Sequence, residues 1–124
     1  MSTNLFISHT SSDRELAAEV ARELSHDGFL ADFGGPEPGE SLPERILDDI
    51  ERSDAVIILL SSTAATSPSV MVELGAARVL NKRIIAVRPR RSRVPEPLRD
   101  VETVAVDHMS ARDIASSIRA QVSA

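Results

Sequence analysis

Ala55-Val56-Ile57-Ile58-Leu59-Leu60 is apolar at every position. A strand with one wet face alternates polar and apolar residues, because successive side chains point to opposite sides. An unbroken apolar run of this length fits a strand covered on both faces, and that places it centrally in a parallel sheet. Ser53-Asp54 leads into it, and the polar segment Ser61 to Ser67 leads out.

Upstream, Asn4-Leu5-Phe6-Ile7-Ser8 is a second short apolar run, stopped by the polar cluster His9 to Ser12. Ser12-Asp13-Arg14-Glu15 has the form of a capping box, with Ser12 as the expected N-cap. Leu16, Val20 and Leu24 then recur every four residues, which predicts an amphipathic helix. Gly28 suits the left-handed end of that helix. Phe29 to Phe33 reads as a strand, and Gly34 to Glu40 as an exposed loop punctuated by glycine and proline. Ser41 to Glu44 repeats the capping-box form, and Ile46, Leu47 and Ile50 give the expected buried stripe of a second helix.

Downstream, Ser67-Pro68 reads as a helix start, since proline is tolerated in the first turn. The helix runs to about Leu80 and ends at Asn81-Lys82. Arg83 to Arg88 and Thr103 to Val106 read as strands. Ile114, Ile118 and Val122 mark a last helix, with Ser110 as its cap.

The alternation of strand and helix predicts a three-layer α/β sandwich around a five-stranded parallel sheet. The commonest order for such a doubly wound sheet is 2-1-3-4-5, and ligands bind outside the carboxyl ends of the strands where the winding reverses. That rule selects the loop His9–Ser12, the loop Ser61–Ser69 and the start of the following helix.

Composition narrows the chemistry. The 124 residues fit a single domain over residues 1–124. Cysteine is absent, which excludes disulfides, thiolate metal sites and thiol catalysis. Tryptophan and tyrosine are absent too, and the aromatics are Phe6, Phe29 and Phe33 alone, so a binding site built on stacked aromatics is not expected. The net charge of −5 disfavours nucleic acid and anionic lipid as partners. No apolar run approaches a membrane span, and no secretory signal is visible, so a cytoplasmic setting is expected.

Glu73 is the outlier. It stands in Val70-Met71-Val72-Glu73-Leu74-Gly75-Ala76-Ala77, a run with no other charge. At helical spacing it shares a face with Ser69, Val70, Ala76, Ala77 and Leu80. A carboxylate in that company can take sugar hydroxyls and stabilise an oxocarbenium-like centre as a glycosidic bond breaks. It can equally form a salt bridge or point to solvent near the helix start. His9-Thr10-Ser11-Ser12 offers hydroxyls and backbone N–H groups to an anion, or simply caps the first helix. His26 and His108 read as surface residues, and no histidine is spaced to make a metal site with His9. The arginine run Arg88 to Arg93 reads as a solvated loop or as a steering group for a polyphosphate.

Leu5-Phe6-Ile7-Ser8-His9, Gly28-Phe29, Glu37-Pro38-Gly39-Glu40-Ser41-Leu42, Ser53 to Ser61, Glu73-Leu74-Gly75-Ala76-Ala77 and Lys82 to Val87 stand in one order and spacing. Together they resemble a bacterial TIR (Toll/interleukin-receptor homology) domain over about residues 4–90. The resemblance implies a flavodoxin-like TIR fold. It implies NAD+ as substrate rather than as a cofactor, cleaved at the nicotinamide–ribose bond to nicotinamide plus ADP-ribose or a cyclic variant. Glu73 matches the family's catalytic glutamate. Ser8, His9 and Thr10 match the nucleotide-holding loop. Phe33 and Gly34 open the loop after the second strand, and Ser61 and Ser69 flank the glutamate's helix, Ser69 standing where the family often has tryptophan. No metal is implied. Implied partners are other TIR domains in a homo-oligomer and a sensor domain or upstream activator, in bacterial immune signalling.

Two functions follow from the resemblance: an NAD+ glycohydrolase switched on by assembly, and a non-catalytic interaction module. A phosphorelay receiver is excluded, because Leu60-Ser61-Ser62 holds no acceptor aspartate. A flavin carrier would need the missing aromatics. The glutamate-bearing helix is also similar to that of nucleoside deoxyribosyltransferases, but the first loop fits a TIR domain better.

Overall fold

The computed structural model describes residues 3–33, 42–61, 64 and 67–123. The loop read at Gly34–Glu40 and the cap read at Ser41 lie outside them. The elements are β1 (Thr3–Ser8), α1 (Arg14–Ser25), β2 (Phe29–Asp32), α2 (Leu42–Arg52), β3 (Ala55–Leu59), α3 (Pro68–Val79), β4 (Arg83–Pro89), β5 (Glu102–Val106) and α4 (Ala111–Val122). All strand pairings are parallel, and the order is β2-β1-β3-β4-β5. The expected α/β sandwich and strand order are what forms.

β3 is central, and all five of its residues are buried. Its side chains divide between two cores. Ile57 and Leu59 join Leu5, Ile7, Ile85 and Val87 under α1 and α4. Val56 and Ile58 join Phe6 and Ala86 under α2 and α3. Each such isoleucine contributes about 1.5–3 kcal/mol by leaving water.

The helices follow their expected stripes, with one correction. Ile46 and Ile50 of α2 are buried, but Leu47 is 43% exposed. A position one residue past Ile46 sits about 100° further round the helix and leaves the core-facing side.

Two helix starts behave as expected. The Ser67 hydroxyl accepts from the Val70 amide at 3.4 Å and the Ser110 hydroxyl from the Asp113 amide at 3.2 Å. Ser12 does not cap α1. A 3-10 turn at Ser11–Asp13 precedes that helix, and α1 begins at Arg14 with no side-chain cap. The Ser12 hydroxyl is engaged by Thr10 instead, at 3.0 Å.

Beyond α1, Gly28 adopts φ +86°, the left-handed turn that lets the chain re-enter the sheet at β2. Asn81 does the same after α3 at φ +55°, a conformation asparagine tolerates. No described helix is long and apolar enough to cross a membrane.

Candidate functional site

Alternation along β1 decides what meets Glu73. Leu5 and Ile7 face α1 and α4, so Phe6 and Ser8 face the opposite layer, where α3 lies. Ser8 is the last residue of β1, paired in register with Ile58 of β3. Its hydroxyl therefore stands at the carboxyl end of the sheet, beside the second turn of α3. There it donates to Glu73 Oε1 at 2.6 Å.

Both partners are buried, Ser8 fully and Glu73 to within 7% exposure. Neither alternative read from the helical wheel is realised. Glu73 does not point to solvent, and its described hydrogen-bond partner is a neutral hydroxyl rather than a cation. Burial pushes the Glu73 carboxyl above its ordinary range, since a charge in a poorly solvated place is costly; the Ser8 hydrogen bond and the charge of His9 pull it back less. A carboxylate so held keeps Oε2 outside the Ser8 contact. Such a group can take a ligand hydroxyl or stabilise positive charge on a neighbouring carbon.

His9 turns both ring nitrogens onto carbonyl oxygens. Nδ1 lies 2.7 Å from Thr10 O, and Nε2 meets Phe33 O at the end of β2. Thr10, 5% exposed, uses its own hydroxyl within the loop: it donates to Asp13 Oδ2 at 3.0 Å and meets Ser12. The Thr10 carbonyl also accepts from the Asp13 amide at 3.0 Å. The first loop is thus braced by contacts among Thr10, Ser12 and Asp13 and tied to the end of β2 through His9. Asp13 belongs to it, and nothing in the sequence except its capping-box neighbourhood marks it out.

The other residues expected at the site are spread around this pair. Ser61, two residues past β3 at the outlet of the central strand, carries a buried hydroxyl oxygen with no hydrogen-bond partner among the described residues. Ser69 is exposed, and its hydroxyl contacts the capping Ser67 at 3.2 Å. The Phe33 ring packs against the α1 and α4 core, on the opposite layer from Glu73, so its backbone rather than its ring reaches the site through His9. Gly34 lies outside the described residues.

Two arginines of the run, Arg88 and Arg90, are engaged locally. Arg88 Nη1 spans the carbonyls of Pro89, Arg90 and Ser92 at 3.2–3.5 Å, and Arg90 pairs with Asp107 at 2.7 Å. A groove of about 350 Å³ runs between β2 and α2, lined by Asn4, Leu30, Asp32, Asp49 and Arg52, away from Glu73. No cluster of three or more histidine, aspartate or glutamate side chains that could hold a metal forms among the described residues.

A family model of the TIR domain matches residues 5–119. The chain belongs to the TIR domain family. Among solved structures, it is similar to the TIR domain of the Toll-related receptor TRR-2 from Hydra magnipapillata, with a TM-score of 0.72 and 20% identity over 96% of this chain and 94% of that one. It is also similar to the CMP N-glycosidase BcmB from Clostridium botulinum, with a TM-score of 0.63 and 14% identity over 92% of this chain and 98% of that one. At such identities both establish the TIR-like fold alone. No curated protein matches the chain. Within this TIR domain, Glu73 and Ser8 are the residues that the fold brings from distant segments into one buried contact.

Proposed function

We propose that this TIR domain is an NAD+ glycohydrolase switched on by self-assembly, acting in bacterial immune signalling. The observation that carries the reading is the buried Glu73 carboxyl, held by Ser8 at the carboxyl end of the sheet. The site lies where a doubly wound sheet receives ligands. The fold's likeness to a protein named as an N-glycosidase supports the same bond class, a sugar carbon joined to a ring nitrogen.

Glu73 Oε2 takes ribose hydroxyls and faces the positive charge that develops at the anomeric carbon. The carbon–nitrogen bond breaks, nicotinamide leaves as a neutral base, and water, or an internal nucleophile in the cyclic case, bonds to the anomeric carbon and releases a proton to solvent. The leaving group needs no proton, so orientation and electrostatics supply the effect. The orphaned Ser61 hydroxyl is the second group offered to the nucleotide.

The test is NAD+ turnover by the wild type and by Glu73→Gln, each dilute and fused to an oligomerising module. Turnover by the clustered wild type alone is expected. An inert clustered wild type overturns the reading.

One observation favours a second role, as an interaction module. The outer face of α3 exposes Val72 and Val79, the latter at 83%, on a helix that is otherwise almost uncharged. Exposed apolar groups grouped on one face mark contact surfaces. Self-association that survives in folded Glu73→Gln, without NAD+ turnover in any variant, assigns the chain to this role.

A further inference from the structure

A carbonyl oxygen only accepts hydrogen bonds. His9 faces two of them, Thr10 O through Nδ1 and Phe33 O through Nε2. A neutral imidazole carries hydrogen on one nitrogen and a lone pair on the other. In this arrangement the lone pair of a neutral ring would meet an oxygen lone pair. The charged ring, with hydrogen on both nitrogens, satisfies both contacts at once.

The two carbonyls belong to different segments. Thr10 follows β1, next to the Ser8 that holds Glu73, and Phe33 follows β2. We propose that His9, carrying hydrogen on both ring nitrogens, is the positioning residue of the site: it clamps the loop after β1 to the outlet of β2 and sets a positive charge beside Glu73. The proposal rests on the reading of Glu73 as the reacting carboxylate, but the clamp itself is independent of turnover.

The carboxylates next to the clamped segments stand on three elements. Glu73 faces the ring from α3 and feels its charge. Asp13 stands on the turn before α1, tied to Thr10. Asp32 precedes Phe33 at the end of β2. A ring with hydrogen on one nitrogen alone would keep one carbonyl, release the other segment and leave Glu73 without its counter-charge. Turnover rises as Glu73 ionises.

The experiment is an isotope-labelled titration of the full chain, following the His9 ring and the backbone resonances of Thr10 and Phe33. Those backbone resonances are expected to move with the His9 ring and not with His26 or His108, which are exposed. The same coupling is expected in Glu73→Gln, so it is read even if NAD+ is never turned over. Thr10 and Phe33 resonances indifferent to the His9 ring overturn the clamp.

On clustered protein, His9→Gln keeps one donor and cannot become charged. Its turnover is expected to fall about tenfold or more, with the acid limb of Glu73 shifted to higher pH because the charge of His9 no longer lowers it. An unchanged turnover and an unchanged acid limb in folded His9→Gln overturn the positioning role.

Discussion

Ser8 Oγ and Glu73 Oε1 lie 2.6 Å apart although 65 positions separate them in the chain. The contact is made by the end of β1 and the second turn of α3, with two helices and two strands between them in the chain. It commits one carboxylate oxygen, Oε1, to the fold.

Ser8→Ala is expected to keep the fold, since alanine fits within the space of serine. It leaves a buried oxygen unpaired, and stability is expected to fall by about 1–3 kcal/mol. The Glu73 carboxyl should titrate still higher, because a contact that pulls it down is gone. Denaturant unfolding reads the first effect and the acid limb of turnover the second. An unchanged acid limb argues that the hydroxyl does not govern the carboxyl.

Glu73→Gln separates chemistry from stability. Burial raises the folded carboxyl above the ordinary value of 4.5, so the fold prefers the protonated acid. That contribution is complete below 4.5 and is lost as pH rises through the raised folded value. Glutamine does not ionise. The variant is therefore expected to match the wild type in acid and to exceed it in stability near neutrality, while losing NAD+ turnover. Urea unfolding at the two conditions checks it, and equal stabilities throughout contradict it.

The two serines read as caps should behave differently. Ser110→Ala removes a hydroxyl that accepts from the Asp113 amide, and a loss of about 1 kcal/mol is expected. Ser12→Ala should cost less than half of that, because Ser12 accepts from no helix amide. Comparable losses in thermal or denaturant unfolding would overturn this assignment.

Core position outweighs residue type. Ile57→Ala on β3, fully buried, is expected to cost about 2–5 kcal/mol. Leu47→Ala on α2, at 43% exposure, should cost well under half as much. Denaturation midpoints of the two variants give the comparison directly.

Much of this was legible before any coordinates. Ala55 to Leu60 carries its doubly buried character in its composition, and the alternation around it sets the sheet order. Glu73 stands out because a lone charge in the run Val70 to Ala77 demands an explanation. The misreadings are local. Ser12 has the letters of a capping box, but Thr10 competes for its hydroxyl and a 3-10 turn intervenes. Leu47 is apolar yet lies off the buried face. No pattern in the chain shows that both His9 nitrogens meet carbonyls, since Phe33 reaches it only once β2 has paired with β1. Tertiary contacts of that kind have no periodicity to read.

The sheet separates two independently packed halves, and Glu73 belongs to the half built on α2 and α3. Mutational freedom is therefore unequal across the molecule. Repacking beneath α1 and α4 reaches the Glu73 carboxyl through the strands, whereas a change beneath α3 acts on its own helix. A redesigner seeking a sturdier variant that leaves Glu73 undisturbed should work on the first half.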